Sequence, residues 1–197
     1  MEAVSFVAVI CLLLVAVAFS PLGLGGEILY VPIMHYILDW EIEESLVASL
    51  TLVLMVALGS SMAHSKSGYA DTDAAKLGRI SAVPSAIVGV IMSGALLSVV
   101  GDIGIKIFAA IIVFFVIERT LRKTLSKNES ENTEVSVTEK KNQYIAGTSL
   151  AGISSGLLGI GGGAILVTLN RSLLKMDSKK SAGTSYLVAA TITPVAL

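Results

Sequence analysis

The residues best placed to do chemistry in this chain are two glycine clusters and the few polar residues that follow them. Gly23, Gly25 and Gly26 stand directly before Glu27, and the same spacing returns in Gly159, Gly161 and Gly162 directly before Gly163. Ser45 and Ser49 follow the first cluster, and Ser181, Thr184 and Ser185 follow the second. Glycine takes positive φ and lets a ligand come close to the backbone. A helix that begins just after such a break presents its first-turn N–H groups and positive dipole end, which suits a small anion. Hydroxyl and N–H donors without a fixed cation would hold an oxyanion loosely enough to release it. Glu27 is the exception, a carboxylate where an anion would sit. Either it takes and loses a proton as the anion comes and goes, or it caps the helix that it begins.

The two clusters belong to a longer duplication. Val31, Leu38, Ser45 and Ser49 are matched by Val167, Leu174, Ser181 and Ser185 at the constant offset that separates Gly23 from Gly159, without a gap. The setting is membrane-grade: 54% of residues are apolar and 15% charged, and mean hydropathy is +0.81. These values lie far from those of soluble domains. A Gly-broken apolar segment at the same place in each half is the sequence mark of a secondary transporter.

The elements that must position the clusters are apolar stretches at about 3–19, 27–38, 44–64, 77–100, 104–118, 144–158, 163–174 and 181–197. A full crossing takes roughly 20 residues, so 44–64 and 77–100 qualify outright, while 27–38 and 163–174 are half-helices. Stretch 3–19 leads straight into the first cluster, carries Glu2 and no basic residue at its start, and reads as a span rather than a signal peptide. Residues 119–142 are polar and read as a flexible linker between a first repeat, 1–118, and a second, 143–197. Arg119, Arg122, Lys123 and Lys127 put that linker in the cytoplasm, as Lys66, Lys76 and Arg79 do for their loop. The loop after the first half-helix, 39–44, has no Lys or Arg, whereas its counterpart, 175–180, has three. The equivalent loops therefore fall on opposite sides, an inverted repeat. The second repeat reaches Leu197 inside the helix equivalent to 44–64, which predicts a fragment or a chain completed by a partner.

The Gly-Ile-Gly-Gly-Gly run at 159–163, the downstream Ala182-Gly183-Thr184-Ser185 and the duplicated plan resemble the sulfite exporter TauE/SafE family over nearly the whole chain outside the linker. That resemblance implies a transporter of sulfite, sulfoacetate or related small sulfur anions. It also implies that Gly159, Gly161, Gly162, Gly163, Thr184 and Ser185, with Gly23, Gly25, Gly26 and Ser49, line the pathway. Glu27 departs from the family pattern, standing where the second copy has Gly163.

The remaining residues have blander readings. Gly152-x-x-x-Gly156 and Ser85-x-x-x-Gly89 suit close helix packing. Gly159-x-Gly161-x-x-Ala164 fits a loose dinucleotide pattern but lacks the flanking strands. His35, Tyr36 and Trp40 suit an interfacial belt, and His64 beside Lys66 an inner flank. Pro21, Pro32 and Pro84 predict kinks or breaks. Two separated histidines and Cys11 make no metal-ligand spacing, no nucleophile–base pair emerges, and a net charge of −1 offers no surface for nucleic acid.

The expectation is thus an all-α, polytopic plasma-membrane protein with inverted internal repeats, not an enzyme and without a cofactor. It would move a small inorganic or organosulfur anion by alternating access, with proton coupling as one option. Its partners would be the lipid bilayer and either further copies of itself or a second chain completing the fold. The alternative is a non-transporting membrane scaffold or partial transporter half.

Overall fold

A computed structural model describes residues 2–125 and 134–197, and within them the chain is helical with no strand. Helix α1, Glu2–Phe19, runs on through one 3-10 turn, Ser20–Leu22, into the first glycine cluster. Short α2, Glu27–Ile37, and long α3, Ile42–Lys66, follow. The longest helix, α4, covers Thr72–Leu125. Helix α5, Lys141–Leu158, leads into the second glycine cluster, with short α6, Gly163–Leu173, and α7, Ser178–Ala196, after it. Among the described residues, three segments are long and apolar enough to cross a membrane: Val4–Leu22, Ile42–Lys66 and Thr72–Ala95.

The duplication extends to backbone conformation. Gly23, Gly25 and Gly26 have φ of 80°, 62° and 85°, and Gly159, Gly161 and Gly162 have 65°, 63° and 73°. After the half-helices, Asp39 and Lys175 sit at equivalent positions with φ of 57° and 54°. The chain closes each loop with the same bond, from the Trp40 N–H to the Met34 carbonyl and from the Met176 N–H to the Asn170 carbonyl.

The core lies between the repeats. Leu50, Ala75, Ala82 and Ala86 from the first bury against Ala151, Leu166, Val188 and Ile192 from the second. The tightest seam joins α4 to α5 and uses the small residues that the sequence pattern marks for packing. A Cβ on Gly152 or Gly156 would run into the carbonyl oxygens of Ala82 or Ala86, and one on Gly89 into that of Ile153. Helices in lipid associate through such close contact, because apolar burial between them gains little over contact with lipid chains.

Of the three prolines, Pro21 stands in the 3-10 turn between α1 and the first glycine cluster, whereas Pro32 and Pro84 do not end their helices. Proline removes one backbone bond, a loss that neighbouring helices make good in a bundle. The departure in α4 falls instead at Gly101, with φ 64° and ψ −176°, between the stretches expected at 77–100 and 104–118. The linker is also shorter than expected. Helix α4 runs to Leu125, residues 126–133 lie outside the described residues, and the chain from Glu134 onward is ordered against the second repeat. The Val135 N–H bonds the Leu174 carbonyl, and Val137 packs on the cluster of Ala74, Tyr144, Leu174 and Met176. Lys180, at the start of α7, sits between Glu134 at 2.6 Å and Asp71 at 3.5 Å. The hydrogen bond to Glu134 raises its ammonium above the ordinary lysine range.

Gly156→Ala should destabilise the protein by about 1–3 kcal/mol, because the added methyl meets backbone rather than a yielding side chain. Gly59→Ala, with open space around it, should stay within about 0.5 kcal/mol of wild type. Reversible unfolding in detergent micelles compares the two. Equal losses would mean that α4 and α5 do not meet at this seam.

Candidate functional site

Each glycine cluster lets the chain leave one helix and start another within five residues. Gly159 ends α5 in the left-handed conformation, and Gly162 in the same conformation begins α6. Such geometry is open to glycine and penalises other residues. Space restricts these positions as well. A Cβ on Gly23 would lie 2.7 Å from the Cα of Ala182, and one on Gly159 would lie 3.1 Å from the Cα of Leu46. Leu46 and Ala182 are equivalent positions, so the contact is reciprocal: α7 presses on the first break and α3 on the second.

At the centre of this arrangement is Glu27. Its side chain is only 2% exposed, and Oε1 accepts a hydrogen bond of 2.6 Å from the Ala164 N–H, with the Gly163 N–H a second donor. The expected cap on its own helix is therefore corrected: Glu27 begins α2 but caps α6. The N-cap residue of α6 is Gly162, which has no side chain, so the free first-turn donors must be met from elsewhere. A carboxylate at a helix N-terminus is favoured by the dipole, the more so away from water. The glycines opposite make room for it. A Cβ on Gly163 would lie 3.0 Å from both carboxylate oxygens, and one on Gly161 would lie 2.7 Å from Oε2. The pocket has space for one side chain. This accounts for Glu27 and Gly163 standing at equivalent positions.

The hydroxyl residues are divided between two tasks. Ser49 Oγ donates to the Gly159 carbonyl at 2.9 Å and Ser185 Oγ to the Gly163 carbonyl at 3.2 Å. Both satisfy carbonyls at the second break. Thr184 is differently engaged: its Oγ1 accepts from the Asp71 N–H at 2.9 Å, which ties α7 to the start of α4 rather than to the glycines. Ser45 is buried with no hydrogen-bond partner for its hydroxyl, whereas its equivalent Ser181 donates to the Val167 carbonyl at 3.1 Å.

Two tyrosines not singled out in the sequence complete the surroundings. The Tyr30 hydroxyl donates to the Gly25 carbonyl at 2.5 Å, and the Tyr186 hydroxyl donates to the Ser20 carbonyl at 2.7 Å. Tyr30 lies three residues beyond Glu27, on the same face of α2, a spacing that could have pointed to it. No comparable signal marked Tyr186, which reaches across from α7. His64 stacks on Tyr186 with ring centroids 5.9 Å apart, and so belongs to this group rather than to a bare flank. His35 stays at the exposed end of α2, its Nδ1 2.7 Å from the Trp40 carbonyl oxygen, with Tyr36 exposed beside it.

Residues 8–197 match the model of the family described as Sulfite exporter TauE/SafE. The chain belongs to this family. Comparison with curated proteins and with solved structures gives no match. Members of TauE/SafE are membrane transporters of the sulfite and sulfonate type, so the resemblance read from 159–163 and 182–185 holds over nearly the whole chain.

Glu27→Ala strands the buried Ala164 N–H and should lower stability by about 1–3 kcal/mol. Gly163→Ala crowds the same carboxylate and should also destabilise. Because each acts on the one contact, the double variant should lose less than the sum, with a coupling of about 0.5–3 kcal/mol in a double-mutant cycle read by thermal unfolding. Strict additivity would mean that the side chain and the glycine do not meet.

Proposed function

We propose that this TauE/SafE member carries a small sulfur oxyanion, sulfite or an organosulfonate, across the plasma membrane through the junction where the N-terminal ends of α2 and α6 meet. One observation carries the reading: a buried carboxyl group is held there by backbone N–H groups, so the junction already receives a pair of acceptor oxygens without any fixed cation. Gly23, Gly25, Gly26, Gly159, Gly161, Gly162 and Gly163 line this passage, with Ser49 and Ser185 at its margin and Thr184 at the hinge to α4. Irregular backbone of this kind is tolerated at membrane depth where it lines a protein-enclosed or wet path.

The first repeat and the second, which begins on the far side of the polar connection from α4 to α5, run in opposite directions through the bilayer. The reciprocal seating of Gly23 on Ala182 and Gly159 on Leu46 supports a two-fold relation between them. Transport follows by alternating access, one repeat rocking on the other about the fixed junction. Export is the direction named in the family's description, and Glu27 is the group through which protons enter the cycle.

A second reading, a membrane scaffold, is favoured by one feature. Glu27, Ser49, Ser185, Tyr30 and Tyr186 satisfy backbone groups around the breaks and leave the junction closed.

Reconstitution into liposomes separates the two. Labelled sulfite should enter faster than into protein-free vesicles. Gly161→Val, whose side chain would collide with Val53 and Glu27, should reduce flux to the protein-free level while keeping the wild-type elution profile. Undiminished flux in Gly161→Val would remove the junction from the path. No flux of sulfite, sulfonate or thiosulfate by wild type would leave the scaffold.

A further inference from the structure

We infer that the junction holds a single negative charge throughout its cycle, so that Glu27 and the transported oxyanion exclude one another and each monoanion crosses together with one proton. This rests on the transport reading above and assigns its coupling and the charge state of its substrate. Three observations converge on it.

The first is occupancy. The Glu27 carboxylate takes the N–H of Ala164, the donor that an incoming anion would need, and shares that of Gly163. The second is space. The Cβ positions of Gly161 and Gly163 lie within 3.0 Å of the carboxylate oxygens, so a group brought up to either glycine meets the side chain while it is seated. The third is the absence of a compensating cation among the described residues. The titratable groups around Glu27 are Tyr30 from α2 and Tyr186 from α7, with His64 from α3 stacked against Tyr186 and making no ion pair with Glu27. Helix α3 brings Val53 to Gly161 and Ser49 to the Gly159 carbonyl, and α6 brings the backbone of Gly163 and Ala164. Arg79 donates to the Leu187 carbonyl at 2.9 Å, and Lys180 pairs with Glu134 and Asp71.

Two negative charges about 4 Å apart in such surroundings would weaken anion binding by about a thousandfold. An anion therefore takes the α6 donors only as Glu27 takes a proton. When the anion leaves on the other side the proton leaves with it, and the carboxylate returns to the Ala164 N–H. The loaded junction, neutral Glu27 plus one monoanion, carries the same charge as the empty one. The cycle is electroneutral, and the summed gradients of proton and anion set its direction. A dianion would add a second charge even beside neutral Glu27, which confines the substrate to monoanions such as hydrogen sulfite and organosulfonates.

Labelled methanesulfonate tests this in proteoliposomes, because it stays a monoanion over the usable pH range and any pH effect reports the protein. A gradient of one pH unit, acid outside, should sustain about tenfold accumulation by wild type. A potassium diffusion potential of either sign should drive none, and sulfate should not be carried. In Glu27→Gln, whose head group stays neutral, the pH gradient should lose its effect and any remaining flux should follow the potential. Wild-type accumulation driven by the potential and not by pH would overturn the inference while leaving transport intact, as would Glu27→Gln that still accumulates with the pH gradient. Should Glu27→Gln fail to reconstitute, the wild-type response to the two gradients decides alone. Absence of wild-type flux for methanesulfonate, sulfite and thiosulfate alike would overturn the transport reading itself.

Discussion

A peptide N–H removed from water and given no acceptor is among the least tolerable features a membrane protein can contain. A continuous helix avoids the problem everywhere except in its first turn. This chain begins two short helices, α2 and α6, directly after glycine breaks, and so creates the problem twice in the interior of the bundle. At α6 the answer is the Glu27 carboxylate, supplied by the other repeat. Much of the local architecture follows from that bond. Gly161 and Gly163 must lack side chains to admit it, and α2 and α6 must meet at their N-terminal ends to make it.

The breaks themselves are braced by long-range contacts. Ser49 on α3 holds the Gly159 carbonyl, and Tyr186 on α7 holds that of Ser20, so each long helix supports the break in the other repeat. The two repeats share positive φ at four equivalent pairs, Gly23 and Gly159, Gly25 and Gly161, Gly26 and Gly162, and Asp39 and Lys175, and Ser49 has Ser185 as its equivalent, yet Glu27 has Gly163 and Tyr186 has Leu50. The Glu27 side chain fills the space against Gly161 and Gly163, so α6 is capped from the other repeat while Gly163 has no side chain to return the cap.

The features legible in the sequence were those governed by local rules. The eight apolar stretches fall on the seven α-helices of the described residues, with 77–100 and 104–118 both in α4 on either side of Gly101, and the half-helices at 27–38 and 163–174 lie within a residue of α2 and α6. The small-residue spacing in 85–89 and 152–156 found the α4–α5 seam, because it depends on helical periodicity alone. What the sequence did not disclose depends on partners far away in the chain. The capping preference of a carboxylate says that Glu27 should sit at a helix N-terminus, but not which one; that choice depends on a contact between repeats. Thr184 was grouped with Ser185 by adjacency, although neighbours on a helix point about 100° apart and the two hydroxyls serve different elements. The order of residues 134–140 was hidden for the same reason: Val135 and Val137 look solvated until Leu174 and Tyr144 are brought beneath them.

The distribution of contact types bears on which parts can move. Along α4 and α5, backbone lies against backbone at Gly89, Gly152 and Gly156, and any sliding would drive Cα hydrogens into carbonyl oxygens. Packed surfaces of this sort have discrete arrangements and little compliance. The junction between α2 and α6 is different: a few hydrogen bonds to one carboxylate and several seryl and tyrosyl hydroxyls hold it. The carboxyl bond to Ala164 is of a kind that an oxyanion could replace, because both offer paired oxygen acceptors to the same N–H groups, whereas the hydroxyls donate to carbonyls and stay in place. The seam that resists displacement and the junction whose one carboxyl bond can be replaced in kind fall in different places, an arrangement that the proposed alternating access would use.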